Sequence, residues 1–139
     1  MMPIKGSISF PGDKSISHRS LMIGSLTEKS CVINNISTAI DVESTRNCLK
    51  MCGIKSKKKG NTVFLNGGTY TNPDNPLFCG NSGTTVRLLI GLLAGKGITA
   101  EFHGDKSLSK RPMKRIIEPL SQMGVKIESE NGYLPIKIF

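Results

Sequence analysis

Three short segments of this chain combine cations, hydroxyls and glycines at spacings that suit the binding of anions. The first is Asp13-Lys14-Ser15-Ile16-Ser17-His18-Arg19. Lys14 and Arg19 bring charge, and Ser15 and Ser17 bring donors. Arg19 follows Ser15 by four residues, one helical turn, so both can face one phosphate or carboxylate. If the segment opens a helix, its first backbone N–H groups point the same way. The second is Gly80-Asn81-Ser82-Gly83-Thr84-Thr85-Val86-Arg87. Its glycines let an anion approach the backbone closely at a helix start. It is not a P-loop, and Gly91 to Lys96 fails that pattern too. The third is Gly104-Asp105-Lys106-Ser107-Leu108-Ser109-Lys110-Arg111-Pro112-Met113-Lys114-Arg115, with five cations between positions 106 and 115. Each segment also has a plainer reading: a capped helix with solvated ends, a glycine-rich turn with a Ser/Thr cap, or a solvated basic face. His18 reads as a packing or hydrogen-bonding residue, and His103 as a strand end.

The elements that must position these segments follow from periodicity and punctuation. Alternation over Ile4 to Phe10 predicts a strand that puts Ile4, Gly6, Ile8 and Phe10 on one side. Pro11-Gly12-Asp13 predicts a turn. Ser15 to Leu26 predicts a helix, with Ile16, Leu21, Met22 and Leu26 available for burial. A short strand over Cys31 to Ile36 comes next. A helix capped by Asp41 then runs to Cys52, with Val42, Leu49 and Cys52 as core candidates and Gly53 as its stop. Ile54 to Lys59 and Thr62 to Leu65 predict a hairpin, and Asn66 to Pro76 a loop. Leu77 to Cys79 is extended, and Thr84 to Ala94 is an apolar helix. Ile98 to His103 is a strand. Pro112 opens a helix that runs to Met123, with Pro119 predicting a kink or early break. Val125 to Ser129 and Tyr133 to Ile138 form a second hairpin.

The chain repeats itself. Leu49 to Lys55 parallels Leu120 to Lys126, and the glycines Gly53 and Gly124 are 71 residues apart. Each unit reads as strand, helix, strand, helix, hairpin. The units span approximately 1–68 and 69–139. In such α/β units the strand-to-helix switches converge on one edge, where ligands bind. The three clusters all fall at such switches or just before a helix. They therefore predict a site for small molecules carrying several negative charges.

Composition narrows the classes further. The 139 residues are 37% hydrophobic and 21% charged, as in a globular domain. The net charge of +9 favours anionic partners. Nucleic acid is the first such partner to consider, but the chain has no Trp and only 5% aromatic residues, a poor platform for stacking bases. No apolar run is long enough to span a membrane. The first residues lack the apolar core of a signal peptide, which makes a cytoplasmic location the expectation. Cys31, Cys48, Cys52 and Cys79 form no C-x-x-C pair and read as free, mostly buried thiols.

Pro11 to Arg19, Gly80 to Leu89, and Gly104-Asp105 with Ser107-Leu108 and Arg111-Pro112-Met113 together resemble three signature stretches of the EPSP synthases (3-phosphoshikimate 1-carboxyvinyltransferases). They stand in the family's order, and the resemblance covers essentially the whole chain. The UDP-N-acetylglucosamine enolpyruvyl transferases share the architecture but not the Lys-Ser-x-x-x-Arg or Arg-Pro-Met runs. The resemblance implies an α/β (α+β) fold of repeated βαβαββ units, with helices buried against small mixed sheets. Two of the three units of one domain are visible, so a third unit and a C-terminal domain are expected to complete the enzyme.

The resemblance also implies a reaction. The enolpyruvyl group of phosphoenolpyruvate passes to the 5-hydroxyl of shikimate 3-phosphate and phosphate leaves, with no metal or organic cofactor. It implies that Lys14, Ser15 and Arg19 hold shikimate 3-phosphate. Lys14 also touches phosphoenolpyruvate and is the catalytic candidate. Gly83 and Arg111 bind phosphoenolpyruvate, with Asn81 and Thr84 lining the same pocket and Arg87 supporting the loop. The partners expected are these two substrates and the C-terminal domain, with neither nucleic acid nor membrane among them. The groups that move protons are expected outside this chain, which alone should turn over poorly. The alternatives are a basic nucleic-acid-binding module and a non-catalytic fragment.

Overall fold

A computed structural model describes residues 5–139. The first helix, α1, spans Lys14–Ser25. Asp13 caps it by accepting from the Ile16 N–H at 2.7 Å, so an N-cap carboxylate satisfies one of the helix's free donors. Strand β1 (Ser30–Ile33) and helix α2 (Ile40–Met51) follow, then β2 (Lys55–Lys59) and β3 (Thr62–Asn66). Strand β4 (Leu77–Phe78) leads into α3 (Gly83–Gly95). Then come β5 (Ala100–His103), a 3-10 turn at Leu108–Lys110, α4 (Lys114–Gln122), β6 (Ile127–Glu130) and β7 (Tyr133–Ile138).

Two small sheets result. The first has the order β1-β3-β2 and is antiparallel throughout. The second has the order β4-β5-β7-β6, with β4 parallel to β5 and the remaining pairs antiparallel. A parallel pair needs a crossover, and α3 supplies it. Asn131 and Gly132, with φ of 55° and 83°, make the tight turn between β6 and β7. One continuous core runs through the chain, from Leu21 and Val42 to Leu89, Phe102 and Ile136. Helices α1, α2 and α3 touch one another, α1 packs on β1 and β3, and α4 touches α3.

Several expectations change. The predicted strand over Ile4 to Phe10 is absent across residues 5–10, and Ile4 lies outside the described residues. Ile8 and Phe10 are exposed there, and none of the described strand pairs includes residues 5–10. Ile16 and Leu26 are exposed rather than buried, while Leu21 and Met22 enter the core as expected. Asp41 does not cap α2: the cap position is Ala39, which makes no side-chain bond. Pro112 lies outside α4, which begins at Lys114 behind the 3-10 turn. The helix runs through Pro119 to Gln122, because proline here forfeits only one bond, to the carbonyl of the exposed Arg115. The cysteines are free, with Cys48, Cys52 and Cys79 buried and Cys31 half-buried. Burial pushes the Cys52 thiol up to about 12, so it stays protonated.

Leu89 is fully buried at the centre of α3. Leu89→Ala should lower unfolding free energy by about 3 kcal/mol, measured by urea denaturation.

Candidate anion-binding site at the helix starts

Lys14 is the first residue of α1, and its ammonium is ion-paired with the Asp41 carboxylate in the first turn of α2. Lys14 is half-exposed, so a ligand can reach it. Ser15 and Arg19 are exposed beside it, and Arg19 Nη1 donates to the Ser15 carbonyl at 3.1 Å. Ser17, grouped with them by sequence, is turned inward. Its hydroxyl donates to the Asp13 carbonyl at 2.6 Å and accepts from the Ser37 N–H at 2.8 Å. The turn before α1 is held close: a Cβ on Gly12 would lie 1.8 Å from the Asn35 carbonyl oxygen. No side chain fits there.

The second cluster gathers around the start of α3. Ser82 caps the helix by accepting from the Thr85 N–H at 3.1 Å. A Cβ on Gly83 would lie 2.6 Å from Arg87 Nη1 and 3.7 Å from Arg111 Nη1. Two guanidiniums therefore flank a bare helix start that carries no acidic residue in its first turn. Arg111 donates to the Asn81 side-chain and backbone oxygens, the latter at 3.4 Å, and Arg87 Nη2 donates to the Pro112 carbonyl at 3.4 Å. Asn81 Nδ2 in turn donates to Asp105 at 2.7 Å. The Asn81 amide and the backbone N–H of Leu108 hold the Asp105 carboxyl below its usual range. Thr84, half-buried, is the next residue of α3. Of the third cluster, Arg111 and Asp105 are drawn in; Lys106 and Lys110 are exposed, and the Lys114 stem lies against Gly132.

A buried polar network joins the two clusters. Thr85 Oγ1 lies 2.7 Å from Ser82 Oγ, 2.7 Å from Thr45 Oγ1 and 3.2 Å from the Asp41 carbonyl oxygen. Thr45 Oγ1 lies 2.7 Å from His18 Nδ1. The Asp41 carbonyl can only accept, and both threonine hydroxyls reach it, Thr85 at 3.2 Å and Thr45 at 3.5 Å. The other ring nitrogen of His18, Nε2, is buried without a partner. His18 sits in α1, Thr45 in α2 and Thr85 in α3, so the network binds three helices near their N-terminal ends. Asp41 serves both clusters, through its carboxylate to Lys14 and its carbonyl to Thr85.

A model of the EPSP synthase (3-phosphoshikimate 1-carboxyvinyltransferase) family matches residues 1–139 of this chain. The chain belongs to the EPSP synthase family. A 3-phosphoshikimate 1-carboxyvinyltransferase of Thermoanaerobacter sp. (strain X514) is 48% identical over 139 residues, covering 98% of this chain and 33% of the relative. One from Caldicellulosiruptor saccharolyticus is 47% identical, covering 97% of this chain and 32% of the relative. Among solved structures, EPSP synthase from Acinetobacter baumannii matches with a TM-score of 0.89 at 37% identity, over 96% of this chain and 32% of that one. The chain thus spans about a third of the length of these EPSP synthases.

Among the described residues of this EPSP synthase family member, no cluster of His, Cys, Asp and Glu could hold a metal ion, and no helix is long and apolar enough to cross a membrane. Sequence reasoning missed Asp41 as the partner of Lys14, missed Thr45, and placed Thr85 in the second cluster without its buried role between the helices. Single hydroxyls on helix faces leave no local pattern; Asp41 was visible only as a helix-start residue.

Burial lowers the pKa of His18 from 6.5, aided by Lys14 and Arg19 and opposed by Asp41. The unfolded chain therefore takes up a proton here before the folded chain does. The stability contributed is full above about pH 6.5 and falls as pH drops from there towards the lowered folded value. His18→Asn keeps a hydrogen-bonding side chain beside Thr45 and removes the titration, so it should flatten the loss of stability between pH 7 and 5 in thermal denaturation.

Proposed function

We propose that these 139 residues form the shikimate 3-phosphate side, and part of the phosphoenolpyruvate side, of a 3-phosphoshikimate 1-carboxyvinyltransferase. The observation that carries the reading is the convergence of two cationic helix starts. Lys14 on α1 is joined through Asp41 to the start of α3, where Arg87 and Arg111 flank Gly83. In this reading Lys14, Ser15 and Arg19 hold shikimate 3-phosphate. Gly83 and Arg111 bind phosphoenolpyruvate, Asn81 and Thr84 line its pocket, and Arg87 supports the loop. Lys14 reaches both substrates. The location is the cytoplasm.

The chemistry suits the charges. The 5-hydroxyl gives up its proton as its oxygen bonds to C2 of phosphoenolpyruvate, and C3 takes a proton, giving a tetrahedral intermediate. Loss of a proton from C3 then expels phosphate and restores the double bond. Both substrates are polyanions, and charge grows on the leaving phosphate. Fixed cations and helix N–H groups stabilise that charge without reorganising. The groups that move the protons lie, in this proposal, outside these residues.

The uncovered side of α4 supports a further unit of the same kind. Shifted by the repeat, Val42, Thr45, Cys48 and Leu49 of α2 correspond to Met113, Ile116, Pro119 and Leu120. The first four are buried, because α2 packs against both α1 and α3. Of the second four only Met113 is buried. A half-open cavity of about 810 Å³ lies between α3 and α4, lined by Leu88, Pro112 and Ile116 together with Arg87, Lys114 and Arg115. The units proposed are 1–68 and 69–139, with a third packing onto α3 and α4.

Calorimetric titration with shikimate 3-phosphate tests the first site, with inorganic phosphate as control. Lys14→Ala removes a cation and leaves Asp41 unpaired, so affinity should fall by roughly thirtyfold, about 2 kcal/mol. Equal binding by both proteins would sink the assignment. Turnover is tested by exchanging the matching third of the Thermoanaerobacter relative for this chain. The chimera should release phosphate from the two substrates, while the 139 residues alone should release almost none.

A further inference from the structure

We propose that Asp105 is a positioning residue for Arg111, acting through the side-chain amide of Asn81. The inference rests on the reading of Arg111 as a phosphoenolpyruvate-binding residue. Asp105 Oδ2 accepts from Asn81 Nδ2 at 2.7 Å, Oδ1 accepts from the Leu108 N–H at 2.7 Å, and the Asp105 N–H donates to the Gly80 carbonyl at 2.9 Å. An ionised carboxylate can only accept. It therefore fixes which way the Asn81 amide faces: NH₂ towards Asp105, oxygen towards Arg111. The reversed amide would set oxygen against carboxylate and NH₂ against guanidinium, two repulsive contacts. The polarity of one carboxylate thus passes through one amide to orient a guanidinium. Arg111 receives its remaining contacts from the Asn81 carbonyl and Ser107 Oγ, each at 3.4 Å. These are long, so the Asn81 side chain is its main anchor. The same relay ties the loop before α3 to the segment after β5, which holds Arg111 over Gly83.

A plainer role is capping, since Asp105 also satisfies a backbone N–H of the 3-10 turn. Asp105→Asn separates the two. Asparagine caps as well as aspartate, but its NH₂ would face Asn81 and turn that amide round, presenting NH₂ to Arg111. Adding Asn81→Asp restores the order of donors and acceptors. The variants are made in the chimera described above. Asp105→Asn should leave the thermal midpoint within about 2 °C. The KM for phosphoenolpyruvate should rise about tenfold, and the KM for shikimate 3-phosphate should not move. The double variant is judged on the ligand-free chain, from the Arg111 Nε–H resonance, because Asn81→Asp also sets a carboxylate in the phosphoenolpyruvate pocket. An unchanged KM for phosphoenolpyruvate, or equal rises for both substrates, would overturn the proposal. If even the unsubstituted chimera makes no product, the functional reading is at fault. The relay is then decided on the ligand-free 139-residue chain, from the Arg111 Nε–H resonance. That resonance should shift in Asp105→Asn and return in the double variant; an unmoved resonance overturns the relay.

Discussion

Three helices in this chain are held in register by a buried polar chain, and the site depends on that register. Apolar packing alone tolerates sliding and repacking, because dispersion and burial are non-directional. Hydroxyls and an imidazole in a dry interior do not: an unmade bond there costs about 1–3 kcal/mol. His18, Thr45, Thr85, Ser82 and the Asp41 carbonyl satisfy one another only when α1, α2 and α3 stand at one relative height. That height brings the first turns of the three helices together. Lys14, Asp41 and Gly83 are neighbours as a result, although they are far apart in sequence.

The cations at this site do not disperse, because carboxylates and carbonyls hold them. Asp41 holds Lys14, and Asp105 acts on Arg111 through Asn81. Main-chain oxygens hold Arg19 and Arg87. Each partner orients its cation, and the Asp41 and Asp105 carboxylates also trim the net charge, so repulsion among like charges is reduced before any ligand arrives. The two sheets serve this arrangement at a distance. Their inward faces, including Val63, Leu65, Phe102 and Ile136, give the helices a surface to rest on. Their own strands contribute no side chain to the cluster.

Much of the fold could be read from sequence, and the parts that failed did so for physical reasons. The two hairpins and the stops at Gly53 and Gly124 depend on local chemistry, and both glycines adopt positive φ as a helix stop requires. The clusters of hydroxyls and cations were legible as runs in the sequence, and the structure joins the first two through Asp41. The strand expected over Ile4 to Phe10 was not found, because alternation reports a pattern while a strand also needs a neighbouring edge. Asp41 was misjudged as a cap, since a carboxylate near a helix start suits a cap and a distant ion pair equally well. Thr45 was invisible, and Thr85 showed only as one hydroxyl of the second cluster, because their meaning comes from a contact 40 residues apart.

The start of α3 has a practical consequence for handling the protein. Its cap is the neutral Ser82, its first turn holds no acid, and two guanidiniums flank Gly83. Three sources of positive potential meet there, unneutralised by any carboxylate on the helix itself. An oxyanion settling there would relieve that strain, so solvent composition becomes part of the measured stability. Melting curves in phosphate and in chloride would then differ by any such occupancy together with the general stabilisation that phosphate gives folded proteins.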